Sequence, residues 1–83
     1  MQEFYAQARK ILAEQLEIEL ENIDMDTKFE DINADSIDIV EMIMALEDIY
    51  DIEFPEEELE EYPTMGSLVK ALYQYLKQAQ NES

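Results

Sequence analysis

The sequence predicts an all-α fold, a small four-helix bundle of three longer helices and one short third helix, with a long loop between helices one and two. Three observations carry this. The chain has 83 residues, room for three or four short helices in a single domain and little else. Hydrophobic residues make up 47% of it against a single Gly and two Pro, the composition of a folded, mostly helical chain. Apolar side chains also recur at helical spacing in three separate stretches.

Taken in order, Phe4, Ala8, Ile11, Leu12 and Leu16 make one apolar face and predict a helix over residues 2–17, with Glu3, Gln7, Lys10, Glu14 and Glu17 turned outward. Residues 18–35 lose that period and become rich in Asp and Asn. Ile18, Leu20, Ile23, Met25, Phe29 and Ile32 are spaced through them as anchors, so an ordered loop pinned to the core is expected. Asp35-Ser36-Ile37-Asp38 has an acid at each end of a capping-box spacing and starts the second helix, which runs to Tyr50 or Asp51. Residues 51–54 form an extended link to Pro55, which fits the first turn of a brief third helix over 56–61. Pro63-Thr64 stops and restarts the chain. Met65, Leu68, Val69, Leu72, Tyr73 and Leu76 then predict a last helix over 65–79, with Lys70 and Lys77 biased toward its negative end and residues 79–83 a frayed tail.

The second helix faces two ways. At about 100° per residue, Ile39, Met42, Ile43, Leu46, Ile49 and Tyr50 share the core arc, while Ser36, Ile37, Val40, Glu41, Met44, Glu47 and Asp48 fill the opposite one. Three apolar side chains among carboxylates on an outer face have the composition of a docking surface. Ile37, Val40 and Met44 would insert, and the acids would pair with Lys or Arg of a partner.

Charge narrows the class of partner. Twenty-two acids against five bases give a net charge of −17, and no base lies between Lys28 and Lys70. Such a field repels nucleic acid and anionic lipid and attracts basic protein surfaces; it also opposes self-association, so a monomer is expected. The chain has neither Cys nor His, which excludes disulfides, thiolate zinc sites and imidazole-activated nucleophiles. The residues at Met1-Gln2-Glu3-Phe4-Tyr5 are no basic leader, and no run approaches the roughly 18 apolar residues of a membrane span; a cytoplasmic protein is expected. Asp31-x-Asn33-x-Asp35 imitates the opening of a calcium loop, but Ser36 stands where its turn glycine belongs and Met42 where its bidentate glutamate belongs. Asp24-x-Asp26 fails in the same way at Lys28 and Phe29, so no metal site is predicted.

Ser36 therefore has no means of acting as a nucleophilic catalyst, but it is placed to be a substrate. A hydroxyl at a helix start, framed by acids, is where an enzyme with a basic surface could dock and transfer a phosphate-linked group. Ser36 or Asp35 as a simple helix cap is the competing reading.

These residues resemble an acyl carrier protein over essentially the whole chain. The likeness rests on Phe29-Glu30-Asp31-Ile32, Asn33-Ala34-Asp35-Ser36-Ile37-Asp38, the stretch from Val40 to Asp48, and Tyr50-Asp51-Ile52-Glu53-Phe54-Pro55. It implies that Ser36 carries phosphopantetheine, donated by coenzyme A through a phosphopantetheinyl transferase. The imported thiol would hold acyl groups as thioesters for fatty acid biosynthesis enzymes, and the protein itself would catalyse nothing. It further implies that Asp35, Ile37, Asp38, Val40, Glu41, Met44, Glu47 and Asp48 meet partners, and that Leu46, Phe54, Leu59, Tyr62, Leu68 and Leu72 shelter the acyl chain. Phe54, Leu59, Tyr62 and Leu68 are bulky for such a pocket, so long chains are expected to enter by moving Phe54 or Tyr62; simple core packing in a small domain is the competing reading of these side chains. The family most often has Gly where Asn33 stands and Leu where Ile37 stands; a left-handed turn tolerates Asn. A specialised carrier of polyketide or aminoacyl cargo, and a non-carrier acidic interaction module indifferent to Ser36, are the alternatives.

Overall fold

The structure, a computed structural model, describes residues 1–54 and 59–81. Three α-helices are present among them: α1 (Gln2–Leu16), α2 (Ser36–Tyr50) and α3 (Met65–Asn81). The chain between α1 and α2 contains short 3-10 turns at Leu20–Asn22 and Phe29–Ile32, and a third such turn at Leu59–Glu61 precedes α3. Of the predicted short helix, residues 56–58 and the preceding Pro55 lie outside the described residues, and 59–61 are this 3-10 turn. The last helix continues to Asn81, past its predicted end at 79, so the predicted tail is helical up to that residue. No strand occurs among the described residues; Lys28 and Thr64 form an isolated antiparallel bridge.

The apolar faces read from the sequence meet in one core. Phe4, Ala8 and Leu12 of α1, Ile39, Met42, Ile43 and Leu46 of α2, and Met65, Leu68, Val69, Leu72 and Leu76 of α3 are buried there with Ile23, Phe29 and Phe54. Leu12, Ile43 and Leu46 are wholly inaccessible, so truncating any one to Ala removes contacts worth about 2–5 kcal/mol. At one end Phe4 gathers aromatics, with ring centroids 5.3 Å from Tyr50, 5.8 Å from Tyr73 and 6.0 Å from Phe54. Ile49 departs from the expected core arc and is 51% exposed, because it sits at the edge of that arc in the last turn of α2. Leu20 is also exposed. Its anchor is its carbonyl, which accepts two hydrogen bonds from the Arg9 guanidinium (2.7 and 3.0 Å), and not its side chain.

The loop between α1 and α2 is fastened to the start of α3 by main-chain hydrogen bonds. The Phe29 N–H donates to the Pro63 carbonyl, Met65 N–H to Thr27, and Gly66 N–H to Met25 (2.8 Å). A helix start exposes amide donors that its own turns cannot satisfy. Here loop carbonyls take two of them, and the Thr64 hydroxyl takes a third from Ser67 while the Ser67 hydroxyl accepts the Thr64 N–H. The single glycine of the chain stands at this seam: a Cβ on Gly66 would lie 2.6 Å from the Met25 carbonyl oxygen. No glycine occupies a left-handed position; Glu17, Asn33 and Asp51 do, with φ of 58°, 57° and 54°, each where a helix or turn ends.

Candidate functional site

The loop delivers the chain to α2 through a turn built on Phe29 and Ala34. Ala34 is buried and its N–H donates to the Phe29 carbonyl, while Asn33 N–H closes on Glu30 and Asn33 itself adopts φ 57°, ψ 30°. Asn is among the few residues that enter that region at little cost, which explains how this turn forms without glycine. Asp35 then caps α2. Its Oδ1 accepts the Asp38 N–H (3.1 Å) and Asp38 Oδ2 accepts the Asp35 N–H (3.2 Å), a reciprocal capping box.

Ser36 is thereby released from capping. It is the first residue of α2, exposed, and among the described residues no hydrogen bond uses its hydroxyl. The main-chain N–H groups of Ser36 and Ile37 are likewise unpaired among the described residues, beside that hydroxyl and at the positive end of the helix dipole. An accessible hydroxyl next to free amide donors suits a phosphate ester.

Below Ser36, the outer face of α2 holds Ile37 at 67% and Met44 at 55% exposure, with Glu41 and Asp48 exposed and Asp38, Val40 and Glu47 half-buried. Glu41 accepts from the Gln15 amide of α1. The Glu47 carboxylate accepts the Phe54 N–H at 2.8 Å, a role that sequence reading missed because it joins a side chain to a main-chain group seven residues on. Leu46, Phe54, Leu68 and Leu72 lie in the core, with Leu59 and Tyr62 partly buried against it. The structure thus brings these six side chains into or against one cluster and sets Ser36 outside it. Ala34 and Gly66 were also missed; a lone glycine directly after a predicted helix start was the available signal for the second.

No helix of the described residues is long and apolar enough to cross a membrane. Residues 6–72 match the family described as phosphopantetheine attachment site. The chain is 46% identical over 66 residues to an acyl carrier protein of Clostridium acetobutylicum, covering 78% of this chain and 86% of that one. Among solved structures it is similar to a free-standing peptidyl carrier protein from Acinetobacter baumannii, with TM-score 0.74 and 33% identity over 88% of this chain and 91% of the other. It also resembles the HMG-ACPI domain of the CurA module from Lyngbya majuscula, with TM-score 0.69 and 32% identity over 87% and 73%. With an unencumbered hydroxyl at a capped helix start and these relatives, the chain belongs to the acyl carrier protein family, non-catalytic carriers that hold phosphopantetheine as a covalent cofactor.

Proposed function

We propose that Ser36 is the attachment point and that the protein carries acyl groups for fatty acid biosynthesis in the cytoplasm, as a monomer. One observation carries the assignment to Ser36: Asp35 and Asp38 do the capping, so among the described residues the exposed serine's hydroxyl and two adjacent amide donors have no partner. A phosphopantetheinyl transferase supplies the catalysis that this chain lacks. In that step the Ser36 oxygen forms a bond to phosphorus, the pyrophosphate bond of coenzyme A breaks, the adenosine bisphosphate half leaves, and the hydroxyl proton passes to base or solvent. Once attached, the group supplies a thiol that holds acyl chains as thioesters.

The chain's own residues then position the carrier. Ile37, Val40 and Met44 offer the transferase and acyl-processing enzymes an apolar contact, and Asp35, Asp38, Glu41, Glu47 and Asp48 surround it with charge for basic docking surfaces. Leu46, Phe54, Leu59, Tyr62, Leu68 and Leu72 shelter the acyl chain, with Phe54 or Tyr62 moving for long ones. Likeness to a peptidyl carrier and to a domain of a larger module supports a second reading, a carrier of specialised cargo. Incubation with coenzyme A and a broad-specificity transferase should add one phosphopantetheine to the intact protein and none to Ser36→Ala. An unmodified wild-type mass would overturn the assignment. Identification of the native thioester separates fatty-acid from specialised cargo.

A further inference from the structure

Glu47 belongs to two places at once. Its carboxylate, half-buried, accepts the Phe54 N–H at 2.8 Å, and its carbonyl accepts the N–H groups of Asp51 and Ile52. One residue therefore holds the turn by which the chain leaves α2. Phe54 at the end of that turn is 5% exposed, with its ring 6.0 Å from those of Phe4 and Tyr75. Glu47 also lines an open groove of about 420 Å³ together with Met44, Asp48, Asp51, Ile52 and Glu53. Four of these six carry carboxylates and none carries a positive charge.

A buried N–H is held in place by its acceptor, and a carboxylate acceptor is stronger than a neutral one. A guanidinium takes both oxygens of a carboxylate side by side, which a single ammonium does not. An arginine entering the groove therefore competes for the oxygen that secures Phe54, and nothing in residues 29–69 of the sequence offers such a cation from within.

We propose that Glu47 is a positioning residue that couples docking to the core: an arginine-bearing partner seated in the groove draws the carboxylate from the Phe54 N–H and loosens that residue's hold on the aromatic cluster. The coupling itself stands apart from the carrier reading. Its use as a means of opening an acyl pocket at Phe54 rests on that reading.

Amide hydrogen exchange at Phe54, followed by NMR on the full chain, tests the coupling. Glu47→Ala should accelerate exchange of that amide by about tenfold or more, Glu47→Gln by less than about threefold because its carbonyl still accepts, and a change at an exposed acid of α1, Glu14→Gln, should leave it unchanged. A saturating short oligoarginine peptide should speed Phe54 exchange about tenfold in the wild type and little in Glu47→Gln, with oligolysine weaker in both. Far-UV circular dichroism shows whether Glu47→Ala keeps its helices; if it does not, the peptide response of wild type against Glu47→Gln decides. Phe54 protection that oligoarginine leaves untouched overturns the proposal. Mass gain at Ser36 is scored separately: gain with an unresponsive Phe54 sinks the coupling alone, and a responsive Phe54 without gain sinks the carrier reading alone.

Discussion

Asp35 and Ser36 are adjacent and perform separate duties, and substitution should tell them apart. Asp35→Ala removes the acceptor of the Asp38 N–H and should cost about 1 kcal/mol in urea denaturation. Ser36→Ala deletes a hydroxyl that caps nothing, so stability should change by less than about 0.5 kcal/mol while modification is abolished. Equal destabilisation by the two would return Ser36 to the role of a cap. Glu17 ends α1 at φ 58°, where a Cβ is strained, and Glu17→Gly should stabilise by about 0.5 kcal/mol, since the relief of strain exceeds the added unfolded-chain entropy only narrowly. The cap formed by Asp35 and Asp38 was legible in the sequence because capping chemistry acts within four residues. Glu47 was legible only as a surface acid. Its partner is a main-chain group, and main-chain groups leave no residue-type signature.

At the scale of elements, α1, α2 and α3 could be read from apolar spacing because one face of each is buried along most of its length. The pattern misplaced Ile49, since periodicity says which residues share a face but not how far a neighbouring helix covers it. It read Leu20 as a side-chain anchor where Arg9 grips the carbonyl instead. The seam between the loop and α3 was invisible for the same reason that Glu47 was: its bonds run between backbone groups. Gly66 is its one residue-level trace, and Gly66→Ala sets two effects against each other. Helix propensity favours Ala by about 1 kcal/mol. Against that, a methyl group 2.6 Å from the Met25 oxygen forces backbone atoms apart and strains the Gly66–Met25 hydrogen bond, which costs about 1–3 kcal/mol. The clash should win, giving a lower urea midpoint; a raised midpoint would mean that the loop moves freely away from α3.

For the whole molecule, charge and size combine. With a net charge of −17 on a body 37 Å by 23 Å by 19 Å, nearly every acid feels the others at low ionic strength, where the screening length is about 30 Å. Raising salt to about 0.15 M shortens that length to about 8 Å and should raise the urea midpoint; an unchanged midpoint would show that local pairing already offsets the repulsion. Alkaline pH acts through two phenols. Burial pushes Tyr5 above the ordinary value of 10.0, with Arg9 opposing and Asp24 reinforcing, and burial followed by the charge of Glu3 pushes Tyr50 the same way. As pH rises past 10.0 the unfolded chain loses these protons before the folded one does, so stability is intact below that pH and falls above it. Tyr5→Phe with Tyr50→Phe should flatten the alkaline limb of the denaturation profile. The clasp joining residues 25–29 to 63–66 has a consequence in time as well as in space. A ribosome that has finished α2 holds a nascent chain whose serine has been translated while half of the fastening between the loop and α3 has not. Stalled chains ending short of residue 63 should accept little label from coenzyme A, and chains long enough for residues 63–66 to have left the ribosome should accept it.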